Sequence, residues 1–188
     1  MPAPLTEERD RLDRAALLDA AERLFYERGI QAVGMDEVRT ASALPLKRIY
    51  RFFPAKEELV VAMLRRRDQR WRDDLAAFVE RVSDPCERVL AVFDWLAEWF
   101  VEPGFRGCAW INAHGELGSS SEAVLAEVRS HKRAFHDQLA EWVRATGVAV
   151  VEPVFLLFEG AVVTAGVSGD PAPARHARAA VAELLGTP

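Results

Sequence analysis

Between Val38 and Lys56 the chain carries Arg39, Lys47, Arg48, Arg51 and Lys56 and no acidic residue. The chain as a whole has 188 residues and a formal net charge of −5. A local block of cations without counter-charge, set in an acidic protein, asks for an anionic partner. Over residues 28–72 eleven Lys/Arg stand against five Asp/Glu, a balance of +6 that leaves −11 for the remainder. A basic head on an acidic body limits stray binding to polyanions elsewhere on the surface.

Two short helices must position those cations. Asp36 and Glu37 fall in the first turn of one, where the helix dipole favours negative charge. Met35, Val38 and either Ala41 or Ser42 give it a narrow apolar stripe. The stripe ends at Ala43-Leu44, and Pro45 then disfavours helix in the residue before it while suiting the start of a new one. In the second helix Leu46, Ile49, Tyr50 and Phe53 recur at i, i+3, i+4 and i+7 as one buried face. Lys47, Arg48 and Arg51 point the other way. Two short helices joined by a tight turn, with a basic outer face on the second, predict a helix-turn-helix whose partner is nucleic acid. Lys56 opens the next helix against the dipole, beside Glu57 and Glu58, a placement that suits a phosphate contact.

Other chemistry is weakly supported. Cys108, His114 and Glu116 lie close in sequence but have no catalytic spacing, and no H-x-x-x-H or Cys-x-x-Cys pair offers metal ligands. No catalysis, metal or cofactor is expected. Cys86 and Cys108 give no disulfide framework and suit a reducing cytoplasm. The N-terminal MPAPLTEERDR lacks the apolar core of a signal peptide. Residues 1–10 read as a mobile arm. The apolar run from Val154 to Val167 is short of a membrane span and is broken by Glu159.

The order LLDAAERLFYERGIQAVGMDEV…ALPLKRIYRFFPAKEEL resembles the N-terminal domain of TetR/AcrR-family transcriptional regulators. Tyr50, Phe53, Lys56, Glu57 and Leu59 stand for the family's aromatic signature, and the match covers about residues 12–65. The chain departs from the family at Ala43, where glycine is usual, at Pro45, where a small hydroxyl residue is usual, and at Lys47 and Arg48. Extra charge at those positions serves either guanine reading by Arg48 or further phosphate contacts. The residues expected to face DNA are Thr40, Pro45, Lys47, Arg48, Tyr50, Arg51 and Lys56.

The remainder reads as an all-α body, giving about nine helices in total, with a DNA-binding domain over residues 1–54 and a ligand-binding and dimerisation domain over 55–188. Helix one carries Leu17, Ala21, Leu24 and Phe25 and stops at Gly29. Helix four runs from near Ala55 towards Val82, and Ser83-Asp84-Pro85 stops it and caps helix five. Gly107, Gly115 and Gly118 bracket a short helix. Ser121 or Ser119 caps helix seven, which Gly147 closes. Helix eight, about Val151 to Val167, is apolar on nearly every side and needs cover that a chain this small cannot easily give it. Helix nine runs from about Pro173 to Leu185.

The resemblance implies that helices eight and nine pair with a second copy. Phe158, Ala161, Val162, Ala165, Ala177, Val181 and Leu184 are the expected dimer residues. It also implies a small-molecule pocket in the body, for which Phe78, Phe93, Trp95, Trp99, Trp110, Asn112, His114, Phe155 and Glu159 are the candidates. The function so implied is a cytoplasmic homodimeric repressor released from a palindromic operator by a small, largely apolar inducer. Alternatives are regulation through oxidation of Cys108, or a partner-binding module that does not bind DNA.

Overall fold

The computed structural model describes residues 3–187, and within them every regular element is helical. The order is α1 (Ala3–Arg28), α2 (Met35–Ser42), α3 (Leu46–Phe52), α4 (Lys56–Val79), α5 (Pro85–Phe100), α6 (Ala109–Leu117), α7 (Glu122–Arg144), α8 (Val151–Ser168) and α9 (Ala172–Leu185). The expected all-α class holds. Residues 3–10, read from sequence as an arm, belong to α1, while residues 1 and 2 lie outside the described residues.

The helix ends follow local chemistry. Gly29 leaves α1 at φ +96, a backbone state that glycine adopts without a Cβ penalty. The Asp84 carboxylate accepts from Glu87 N at 2.9 Å, and the Ser121 hydroxyl accepts from Val124 N at 3.0 Å. Each cap stabilises its helix by about 1 kcal/mol. α4 ends at Val79, a turn before the expected limit at Val82.

The chain forms two compact units. One holds residues up to Arg67 together with Asn112–Val128, and the other holds Asp68–Ile111 together with Arg129 onward. Packing thus groups residues 55–67 and 112–128 with the N-terminal helices, a different division from the cut at residue 54. The first unit's core is built from Leu17, Leu18, Ala21 and Phe25 of α1, Val38 of α2, Ile49 and Phe53 around α3, and Leu59, Val60 and Met63 of α4. Burying a side chain such as Ile49, fully enclosed here, stabilises the fold by roughly 1.5–3 kcal/mol. In the second unit α5, α8 and α9 pack on one another. Its core includes Leu75, Val92, Phe93, Phe135, Leu139, Phe158 and Val181.

α8 is, by length and composition, apolar enough to cross a membrane, with a mean hydropathy of 1.5 over 18 residues. That is longer than the run read from sequence. Its mid-helix carboxylate, Glu159, is ion-paired with Lys132.

Candidate nucleic-acid interface

α2 and α3 are joined through Ala43, whose φ of 55 and ψ of 24 place a non-glycine residue in the left-handed region. Ala43 thus occupies the strained position of the turn, and the cost of holding a Cβ there is of order 1–2 kcal/mol. Pro45 caps α3 at φ −63 and ψ 143, and Arg48 N and Ile49 N both bond back to its carbonyl. The stripe of α2 resolves to Val38 and Ser42, with Ala41 exposed. On α3, Ile49 and the following Phe53 are buried, but Tyr50 is 44% exposed and lies on the outer surface rather than on the buried face.

Of the residues expected to face DNA, Thr40, Pro45, Lys47, Tyr50 and Arg51 are exposed. The Thr40 hydroxyl donates to the Asp36 carbonyl at 2.9 Å. Lys47 makes no ion pair among the described residues, which leaves it a bare cation on α3.

Arg48 is differently placed. Its Nε donates to Asp13 Oδ2 at 2.9 Å, and its Nη2 donates to the same oxygen at 2.7 Å and to Asp10 Oδ1 at 2.6 Å. The guanidinium carbon sits 4.8 Å from the Phe52 ring centroid. The hydrogen bonds to Asp13 and then Asp10 hold its pKa above the ordinary arginine value. Arg51 Nη2 reaches the other oxygen of Asp10 at 3.1 Å.

Lys56 turns inward. Its Nζ donates to the Val33 carbonyl at 2.5 Å and lies 5.5 Å from the Phe25 ring centroid. Burial pushes its pKa down, against the opposing pull of Glu116 and Glu37. The wider basic block is also largely matched within the first unit. Arg28 pairs with Glu37, Arg39 with Asp36, Arg65 with Glu127, Arg66 with Asp19 and Glu22, and Arg67 with Glu22.

In the second unit the aromatic residues gather around Trp71, which sequence reading passed over. Its ring stands edge-on to Trp95, Trp99, Trp110, His131, Phe135 and Phe158 at centroid distances of 5.1–6.2 Å. Edge-to-face pairs of this kind each contribute about 0.5–1.5 kcal/mol beyond burial. The Trp71 Nε1 donor is buried and has no acceptor among the described residues. Its spacing, seven residues after Leu64 and four before Leu75, is the signal that could have found it within the arginine run of α4.

Phe93, Trp99 and Trp110 are buried in this unit, with Phe78, Trp95, Phe155 and Glu159 half-buried. Asn112 and His114 fall instead in the first unit, and His114 is exposed.

His131 stacks on Trp110 with centroids 3.4 Å apart and an interplanar angle of 4°. Its Nδ1 lies 2.6 Å from Asp68 Oδ1, and Arg72 Nη2 donates to Asp68 Oδ2 at 2.9 Å. Burial pushes the His131 pKa down, although Asp68 pulls it up. Burial raises the Asp68 carboxyl, but hydrogen bonds from His131 and Arg72 outweigh it and hold the group low. A lowered Asp68 beside a lowered His131 describes one state: an ionised carboxylate, neutralised by Arg72, accepting Nδ1–H from a neutral imidazole.

Among the expected dimer residues, Phe158, Ala161, Val162, Ala165, Ala177 and Val181 are buried within the single chain, and only Leu184 is exposed. The apolar surface of this region is carried by Leu156, Val163 and Val167, the last 86% exposed. A cleft of about 330 Å³ on the same α8–α9 face is lined by Leu156, Gly160, Thr164, Pro173 and His176, among others.

Residues 17–63 match the family model for bacterial regulatory proteins of the tetR family. An uncharacterized HTH-type transcriptional regulator of Mycobacterium tuberculosis is 34% identical over 127 residues, which span 65% of this chain and 62% of that protein. The chain therefore spans about three fifths of the length of that curated relative. The crystal structure of a TetR-family transcriptional regulator from Streptomyces coelicolor superposes with a TM-score of 0.85 at 30% identity, over 99% of this chain and 96% of that one. The reduced form of Escherichia coli NemR has the same fold, with a TM-score of 0.81 at 24% identity over 94% of this chain and 98% of that one.

The helix-turn-helix built on α2 and α3, in a chain whose described elements are all helical, thus defines a known class, and the chain belongs to the TetR family of bacterial regulatory proteins.

Proposed function

We propose that the protein is a cytoplasmic, DNA-binding transcriptional regulator, acting as a homodimeric repressor that leaves a palindromic operator when a small, largely apolar ligand binds its body. The observation that carries the reading is the exposed outer face of α3, where Lys47, Tyr50 and Arg51 stand together beyond a buried Ile49. A seven-residue helix with that division of faces suits insertion into a major groove.

The dimer face is the exposed apolar strip of α8 with Leu184 of α9, which water alone would otherwise cover. A two-fold dimer presents two reading helices to two half-sites. The ligand site is the aromatic group around Trp71. Its unpaired indole N–H favours a ligand that carries one hydrogen-bond acceptor on an apolar frame. Division at residue 54 remains the functional one, separating reading from sensing.

Selection of bound sequences from random duplex DNA at two salt concentrations tests the reading. A palindromic consensus supports it. Binding without consensus that collapses as salt rises reduces α3 to phosphate contacts and removes the operator from the account.

A second reading rests on Cys108, whose Sγ lies 3.7 Å from Lys132 Nζ. Oxidation at that sulfur would replace ligand binding as the signal. Operator affinity that falls with peroxide in the native protein, but not in Cys108→Ser, distinguishes it from the first.

A further inference from the structure

We propose that Asp10 and Asp13 of α1 are specificity-determining residues: they withhold Arg48 and Arg51 of α3 from indiscriminate phosphate contact and release them to the operator. The inference rests on the DNA-binding reading above and concerns which cations of α3 are available to a duplex.

Arg48 is held on three sides. Asp13 takes its Nε and Nη2 at 2.9 and 2.7 Å, Asp10 takes Nη2 at 2.6 Å, and Phe52 underlies the guanidinium. Only 19% of the side chain is exposed, and the two carboxylates are 29% and 22% exposed. Asp10 uses its second oxygen on Arg51 at 3.1 Å, but that arginine remains 62% exposed. Two cations and two anions thus form one compact neutral cluster beside the outer face of α3, with Lys47 alone outside it.

Charge counting shows what such a cluster does. A cation that neutralises a DNA phosphate gains by releasing condensed counterions, whatever the base sequence. Arg48 and Arg51 gain less, because each must first give up a carboxylate, and each freed carboxylate then faces the polyanion. Random duplex DNA returns only phosphate oxygens for that loss. A duplex that also offers a bidentate base edge, such as guanine O6 and N7, returns more. The carboxylates therefore weaken binding to all DNA and weaken it most where no base contact compensates. Specificity gained by opposing the wrong partner is the outcome.

The test compares the native full-length protein with Asp10→Asn, Asp13→Asn and the double variant, on the consensus duplex from the selection experiment and on a scrambled duplex of equal length. For the double variant, affinity for the scrambled duplex rises tenfold or more at low salt, the ratio of consensus to scrambled affinity falls, and the slope of log K against log salt steepens by about 1–2. Unchanged or weaker scrambled-duplex binding with an unchanged slope overturns the proposal and leaves the carboxylates as braces of the fold.

A readout on the native protein does not depend on the variants folding. The Arg48 Nε–H signal in side-chain ¹⁵N spectra keeps its free-protein position on the scrambled duplex and shifts on the consensus. Equal shifts on both overturn the proposal. If the native protein binds no duplex at all, the DNA-binding reading itself fails, and this inference fails with it.

Discussion

Glu116 of α6 caps the turn that follows α1: its carboxylate accepts from Ile30 N at 2.9 Å, across 86 positions of sequence. The other oxygen accepts from Gln31 N at 2.7 Å, and Gln31 returns a bond to the Glu116 carbonyl. Two backbone donors that α1 and α2 cannot satisfy are thus met by one distant side chain. Glu116→Ala leaves both unpaired and lowers unfolding stability by about 1–3 kcal/mol. Glu116→Gln, which keeps one acceptor oxygen, costs less. Urea titration followed by circular dichroism checks the order.

Ala43 carries a second consequence. At φ 55 its methyl group is a liability that glycine lacks. Relief of about 1–2 kcal/mol of strain exceeds the roughly 0.4–1 kcal/mol that glycine gains in the unfolded chain. Ala43→Gly therefore raises stability by about 0.5–1 kcal/mol. A thermal midpoint below that of the native protein would show that the turn is held by something other than this residue.

Stability should decline on the acid side of neutrality. Burial lowers the His131 pKa, so the unfolded state binds the proton first, and stability falls as pH drops below the ordinary histidine value of about 6.5. Asp68, also lowered, adds a loss at more acid pH as its folded pKa is crossed. The groups engaged are Arg72, Lys132 and Glu159 as well as the pair itself. His136 works oppositely: Glu152 raises its pKa, so its contribution is present at low pH and is lost as pH rises through the folded value. It is on the surface, and His131 dominates. The fall is at most about 1.4 kcal/mol per pH unit. His131→Gln, which keeps a donor for Asp68, flattens the melting temperature between pH 7 and 5.5.

Lys47 and Lys56 separate two roles that look alike in sequence. Lys47→Ala leaves the melting temperature unchanged and makes the slope of log K against log salt for duplex DNA shallower by about 1. Lys56→Met orphans the Val33 carbonyl and costs about 1 kcal/mol of stability. Salt-dependent binding and unfolding curves on the same two variants distinguish them.

The apolar strip of α8 gives the prediction for assembly. Val163→Glu alters a residue that is 44% exposed in the single chain, so the chain still folds. A charge enclosed in a dimer without a partner costs about 3 kcal/mol or more, which is a hundredfold or greater rise in dissociation constant. Sedimentation of the variant as monomer, against dimer for the native protein, is the expected result.

Much of this was legible in the residues. Pro45, Asp84-Pro85, Ser121 and Gly147 punctuate the chain, and helix limits drawn from them agree with the structure within a few residues because caps and breakers act locally. The face of Tyr50 was misread because i+4 from Leu46 falls at the edge of a short helix's buried arc. Arg48 was beyond reach for another reason. Its partners stand 35 and 38 positions away, so a run without acids looked bare although it was matched in three dimensions. Trp71 was hidden by its arginine neighbours. Ala161 and Ala165 of α8 are buried within the single chain, whereas Gly160 and Thr164 are exposed, and a helix apolar all round does not disclose which side its own fold covers.

The first compact unit is not continuous in the chain, and this bears on how it is made. Residues 1–67 leave the ribosome long before Asn112–Val128, the segment that supplies Glu116 to the α1 turn and the Ser121 hydroxyl to Glu57. Until that segment emerges, the nascent helix-turn-helix lacks part of its own support. Vectorial synthesis therefore delays the mature reading head until much of the body has been translated, and a polypeptide broken off early carries the basic helices without the clasp that steadies them.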